Sequence, residues 1–425
     1  MALPTSSGTD RSSGTFGINR ENKIVKSGVR KIFTPHSPVD DLAHFFGRED
    51  EASRFVSVIN TEGQHVLVYG DRGVGKTSLA ITTCRLLLQT IMGGGKYIEK
   101  RCDSSDTFET IISKVLKELN VEHQPKETSH TKNSGGKASI GVPLVGAEID
   151  SRTQNTTRET QNFNISSPSW VAEQLQSKSG IFLIDEVDAV SSLSDRKKLA
   201  ELVKLLSDNK SPLKIVMVGI ASTGSDLTAG HPSVQRCLKE VELKRMIDDD
   251  VRKIIVNGFK KLEQLPTEEV VERITDISAG LPHFAHLICL KCAESSIISG
   301  NKHITGEVLN EALEESVKDS ENALKDSYRN CLHSFNKPQE YKVIVLGAAH
   351  CKTADFRSYD VKTQLRDRIG LDVAVEIITR RLTAIDKKTG YRIIEKCGRG
   401  YFRFSDPRMP SLVKMAHGTD KKSAT

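Results

Sequence analysis

Gly70-Asp71-Arg72-Gly73-Val74-Gly75-Lys76-Thr77 decides the reading of this 425-residue chain. The stretch satisfies the pattern G-x-x-x-x-G-K-[ST] at every fixed position. Before it, His65-Val66-Leu67-Val68-Tyr69 is an apolar run of strand length. After it, Thr77 to Ile91 predicts a helix with Leu79, Leu86, Leu87, Leu88 and Ile91 among its apolar positions. Glycines let such a loop curl so that backbone N–H groups point at phosphate oxygens, and the helix N-terminus adds unpaired donors and partial positive charge. Lys76 is placed to reach the outer phosphates of a nucleotide and Thr77 to put a hydroxyl on Mg²⁺.

A second run, Gly180-Ile181-Phe182-Leu183-Ile184, reads as a buried strand and ends in Asp185-Glu186-Val187-Asp188. Ligand groups gather at the carboxyl ends of strands in open parallel sheets. Asp185 is thus expected to hold Mg²⁺ or its water, and Glu186 to polarise a water for attack on the terminal phosphate. A third strand, Lys214 to Gly219, leads to Ser222. This side chain either helps place that water or belongs to an ordinary Ser/Thr turn.

Alternating strands and helices predict a doubly wound α/β domain over residues 31–246. Residues 1–30 are expected to be a disordered polar tail. Residues 122–169, rich in Ser, Thr, Asn and Gly, form an insertion that is either a solvated loop with a hairpin or a contact loop. From Asp248 the strands stop, and residues 247–320 predict a small all-helical domain. Residues 321–415 predict helices followed by the strand-like runs Tyr391–Glu395 and Tyr401–Phe404, joined by a basic turn at Cys397–Gly400. That order is the order of a winged helix. Residues 416–425 are left as a basic tail.

The net charge of +6 is unevenly divided. Residues 321–425 hold 21 Lys and Arg against 12 Asp and Glu, a surplus of +9, so the first 320 residues carry −3. The surplus points to a double-stranded DNA surface made by Arg380, Arg381, Arg392, Arg399 and Arg403, with a solvated packing module as the alternative. The eight cysteines are scattered, and Cys289-x-x-Cys292 lies in an apolar helix pattern, which suggests reduced core thiols in a cytoplasmic protein. No apolar run approaches bilayer-spanning length.

In this order of parts the chain resembles AAA+ ATPases of the origin-recognition initiator type. Phe46-Gly47-Arg48-Glu49, the strand end Val218–Ser222 and Gly280-Leu281-Pro282-His283 support the likeness. It implies a P-loop NTPase (AAA+) domain, a helical lid and a winged helix, with ATP and Mg²⁺ as ligands. It implies an ATP site formed by Gly70 through Ser78 (Gly70, Asp71, Arg72, Gly73, Val74, Gly75, Lys76, Thr77 and Ser78), Arg48 and a lid contact from His283, where the family usually has Arg. Ser222 falls at its first sensor position. An arginine supplied to a neighbouring subunit is assigned to Arg236, with Arg245 or an ordinary surface role as alternatives. The implied function is ATP-dependent, homo-oligomeric assembly or loading on double-stranded DNA, with slow turnover stimulated by DNA or oligomerisation. A signalling or defence switch of the STAND type, whose C-terminal module binds a protein effector or client, is the alternative. A DNA-binding scaffold with structural ATP is a third, disfavoured by Glu186.

Overall fold

A computed structural model describes residues 18–38, 45–121, 164–220 and 233–418. The chain opens with α1 (Ile18–Ser27) and α2 (Val29–Ile32), then α3 (Glu49–Ile59), β1 (His65–Gly70), α4 (Lys76–Thr90), β2 (Lys96–Arg101) and α5 (Phe108–Glu118). Next come α6 (Pro168–Leu175), β3 (Gly180–Asp185), α7 (Leu193–Asp208), β4 (Leu213–Gly219), α8 (Val234–Cys237) and β5 (Leu238–Leu243). The five strands form one parallel sheet in the order β2-β3-β4-β1-β5. Both faces are covered, as the uninterrupted apolar runs require. Val66, Val68, Leu183 and Val218 face a core shared with α4 and the helices beyond residue 247, while Leu67, Phe182, Ile184 and Met217 face one shared with α5, α6 and α7.

The helical region follows: α9 (Asp248–Lys261), β6 (Leu265–Pro266), α10 (Glu268–Ser278), α11 (Pro282–Ser299), β7 (His303–Ile304) and α12 (Gly306–Asp319). The C-terminal module contains α13 (Asn322–His333), α14 (Pro338–Ala349), β8 (Asp355–Phe356), α15 (Ser358–Gln364) and a π turn, Leu365–Ile369. It closes with α16 (Val375–Asp386), β9 (Ile394–Gly398), β10 (Tyr401–Phe404) and α17 (Met409–Gly418). Its antiparallel sheet has the order β8-β10-β9.

Several expectations are corrected. Residues 18–30 are helical rather than a tail, because Ile24, Val29 and Phe33 bury against the helical region and Arg30 pairs with Glu294 at 2.9 Å. The last residues of the expected insertion belong to α6, capped by Ser167 with Pro168 in its first turn. Its residues 122–163 lie outside the described set. The first strand of the hairpin starts at Ile394, not Tyr391. The expected basic tail overlaps α17, whose Met409, Leu412, Val413 and Met415 are buried.

Candidate nucleotide site

The phosphate loop sits where β1 hands over to α4. Gly70 must be glycine: its φ is +151°, and a Cβ there would lie 2.2 Å from the Leu243 carbonyl oxygen of the neighbouring strand. Gly73 and Gly75 adopt left-handed φ values of +84° and +95°, which curl the loop over the start of α4. Lys76 Nζ donates to the carbonyls of Gly70 (3.0 Å) and Asp71 (2.8 Å), and burial lowers its pKa.

Thr77 Oγ1 donates to Asp185 at 3.1 Å, and the Glu186 N–H donates to the same carboxylate at 2.9 Å. Asp185 is only 2% exposed, and desolvation raises its pKa despite these donors. A buried carboxylate beside a single hydroxyl, opening on a cavity, is a donor set that suits Mg²⁺, which binds through one or two protein oxygens together with phosphate and water. Glu186 follows in a left-handed conformation (φ +56°) and forms an ion pair with Arg101 at the end of β2, 2.7 Å away. That hydrogen bond holds the Glu186 pKa below the usual range.

These groups line a cavity of about 390 Å³, together with Arg72, Val74, Ser78 and Asp188. Its other end is less polar, built from residues 34–38, Phe45, Phe46, Met246, Ile254 and Pro282. Arg48 is buried and braces the site: its guanidinium donates to Val74 O (3.1 Å) and Lys244 O (2.6 Å) and pairs with Glu51. His283 reaches the cavity from α11. Its Nδ1–H donates to Pro35 O at 2.9 Å, since a carbonyl can only accept, and burial lowers its pKa. Gly280 lets the helical region dock. A Cβ at this left-handed position would meet Met246 O at 2.6 Å.

Asp71 lies off the cavity, 3.9 Å from Arg245. Arg245 donates to Pro407 O (2.7 Å) and Ala279 O (3.4 Å), so it is held inside its own chain, which removes it as a candidate for reaching a neighbour. Arg236 is exposed on α8, where its carbonyl accepts from Gln64 just before β1. It is therefore a strand length, roughly 20 Å, from its own phosphate loop. Ser222 lies outside the described residues. Of the five basic residues expected at a DNA surface, Arg380, Arg392, Arg399 and Arg403 are exposed. Arg381 is largely buried, ion-paired to Glu340 and over the Tyr341 ring. Arg392 pairs with Glu395 (3.3 Å) and Arg403 with Asp355 (3.0 Å).

Sequence reasoning missed Arg101 and Asp188. Asp188 was visible in the acidic run after β3, and of the surrounding charges it acts most strongly on Lys76. Arg101 had no local signal, because only the pairing of β2 with β3 brings it to Glu186.

A protein-family model described as Novel STAND NTPase 1 matches residues 36–293, more than half of the chain. The chain belongs to this family. The STAND NTPase has no match among curated proteins. Among solved structures it resembles Cdc6p from Pyrobaculum aerophilum, with 14% identity, TM-score 0.46, and coverage of 92% of this chain and 98% of that one. It also resembles the Walker-type ATPase PABY2304 of Pyrococcus abyssi, with 16% identity, TM-score 0.48, and coverage of 89% and 99%. A third is the Aeropyrum pernix ORC1 protein in complex with DNA, with 14% identity, TM-score 0.45, and coverage of 92% and 96%. Likenesses at this level carry no functional weight. The STAND NTPase has the expected α/β domain, with a parallel sheet and the phosphate loop, followed by a helical region. No helix among the described residues is long and apolar enough to cross a membrane.

Proposed function

We propose that the protein binds and hydrolyses ATP and uses the change of nucleotide as a switch that repositions its helical lid and C-terminal module. The observation that carries this reading is the composition of the cavity wall. The phosphate loop and the end of β3 come from the nucleotide domain, Pro282 and His283 from the lid, and residues 34–38 from the N-terminal segment. A ligand touching all three biases their arrangement, and loss of its terminal phosphate changes that bias.

In this mechanism Lys76 turns from the loop carbonyls to the outer phosphates, and the N–H groups at the start of α4 bind the inner ones. Thr77 and Asp185 would hold Mg²⁺, which would supply positive charge beside the phosphate oxygens. Glu186 orients the attacking water and accepts its proton. Ser222 is assigned beside the terminal phosphate. Arg236, remote from its own site and exposed, is assigned to the site of a neighbouring copy in an ATP-dependent oligomer.

A loader on double-stranded DNA is the second reading. It is favoured by the helix–strand–helix–helix–hairpin order from α14 to β10, read as a winged helix, and by the exposed Arg380 and Arg399. The burial of Arg381 against Glu340 and Tyr341 weighs against it, while the pairs of Arg392 and Arg403 are exposed and weak.

ATP turnover by the purified protein, with and without double-stranded DNA, tests both. Turnover that Lys76→Ala abolishes, with ATP-dependent oligomerisation of Glu186→Gln seen by light scattering, supports the switch. Turnover that survives Lys76→Ala overturns the site. Stimulation by DNA that is lost in Arg380→Ala/Arg399→Ala would promote the loader.

A further inference from the structure

The lid and the C-terminal module are joined far more firmly to each other than the module is to the nucleotide domain. The joint centres on Asp276, near the end of lid helix α10. Its carboxylate accepts from Arg368 at 3.0 Å and lies 3.4 Å from Lys414 Nζ, while its own carbonyl accepts from Lys414 at 2.8 Å. His350 Nδ1 stands 3.6 Å from the same carboxylate, beyond hydrogen-bond length. Burial pushes the His350 pKa down to about 4, so it packs there as the neutral ring. The two cations come from the π turn and from α17. One lid carboxylate therefore gathers two separate parts of the module.

Packing reinforces the joint. The α17 helix lies against lid helices α10 and α12 and against α13 and α14 of the module. Ser411 Oγ donates to Ser278 O at 3.0 Å in a fully buried contact. A Cβ on Gly418 would come within 2.9 Å of Leu313 on α12, so the helix end is close-packed on the lid. Lys414 is only 7% exposed, so loss of Asp276 would leave a buried ammonium without its counter-charge, which makes that arm costly to part, whereas the Arg368 arm is exposed and weaker.

The seam between the module and the nucleotide domain is different. It includes Arg245, 3.9 Å from Asp71 within the nucleotide domain, bonded across to Pro407 O, and the aliphatic stem of Arg408 passing 3.9 Å from where a Cβ on Gly73 would lie. Arg408 spends its own charge on Asp406 and Glu321 rather than across the seam. A second cavity of about 480 Å³ separates Asp71 and Arg245 from the module's sheet at Asp355, Arg403 and Ser405. A few polar contacts beside a cavity part at less cost than a packed apolar face.

We propose that the lid and the C-terminal module move as one rigid body keyed by Asp276. Opening of the nucleotide cavity then swings both together about the Lys244–Ile247 connection and parts the seam at Pro407–Arg408. This rests on the switch reading for its trigger, but the rigid coupling is a separate claim with a separate readout.

Distances between spin labels on the full chain test it. One pair joins Glu311→Cys in the lid to the native exposed Cys397 in the module, and the other joins Lys117→Cys in the nucleotide domain to Cys397. Each is measured without nucleotide, with ADP and with ATP in a Glu186→Gln background. The expected result is a lid–module distance that stays constant while the nucleotide-domain–module distance shifts. A lid–module distance that changes with nucleotide overturns the proposal and leaves the switch intact. If neither distance changes although fluorescent ATP binds, the switch reading fails and the proposal with it. In Asp276→Asn the lid–module distribution is expected to broaden. An unchanged distribution in that variant removes Asp276 from its role as the key.

Discussion

Glu186 and Arg101 form an ion pair at 2.7 Å on the rim of the nucleotide cavity, and the contact lowers the basicity of the group assigned to take a proton from water. A weaker base is a poorer acceptor in the transition state. Arg101→Ala is therefore expected to raise turnover severalfold at neutral pH. Because the pair depresses the Glu186 pKa, the acid limb of the pH–rate profile should lie below the ordinary glutamate value, and it should move upward in the variant. Phosphate release measured across pH checks both; a slower variant with an unmoved acid limb would show that Arg101 serves the reaction directly. Glu186→Gln is expected to lose about 10²–10⁴-fold in turnover while binding of a fluorescent ATP analogue changes little. At this scale the sequence was legible where chemistry is contiguous. Lys76, Thr77, Asp185 and Glu186 could be named from two short runs, whereas Arg101 is 85 positions from its partner and needed the sheet.

Among the elements, the turn between α10 and α11 fixes how the lid meets the nucleotide domain. Gly280 has φ +74°, and its carbonyl accepts from Met246 N at 2.8 Å. Gly280→Ala adds a left-handed strain of about 1–3 kcal/mol. It also brings a Cβ within 2.6 Å of the Met246 carbonyl, so something must shift. A lower melting temperature and weaker ATP binding are expected together, by scanning fluorimetry and nucleotide titration. Unchanged ATP binding in a folded Gly280→Ala protein would mean that lid docking does not shape the cavity. The long helices and central strands were readable because their periodicity and apolar runs are strong. The two-residue strand β8 was not, because its place depends on pairing with β10. The α17 helix was hidden by its polar continuation, since no pattern within those ten residues tells which lid surface will cover them.

For the whole molecule, two consequences follow from how the parts share their cores. His65 is buried in the central sheet, where its Nδ1 accepts from Ile215 N at 2.9 Å, and burial lowers its pKa to about 3. The unfolded chain, with a histidine pKa near ~6.5, takes up that proton first. Stability from this group is thus complete above that value and is lost as pH falls toward the folded one, by on the order of 5 kcal/mol in all. The melting temperature, followed through Trp170 fluorescence, should fall between pH 7 and pH 5; a flat profile would contradict the neutral buried ring. Truncation after Ser320 removes α17 and uncovers Leu313 and the α10–α12 face, so the shortened chain is expected to aggregate, as seen by size-exclusion chromatography. A monodisperse product would show that the lid does not need the module. The sequence by itself determined the phosphate loop, the acidic strand end and the succession of α/β, helical and C-terminal parts. Those depend on neighbours in the chain and on apolar periodicity. Tertiary structure alone decided the rest: that Arg101 restrains Glu186, that Arg245 and Arg381 are spent on internal contacts, and that Asp276 ties lid to module. A side chain's charge is written in the sequence, but whether that charge is free depends on which distant residue folding places beside it.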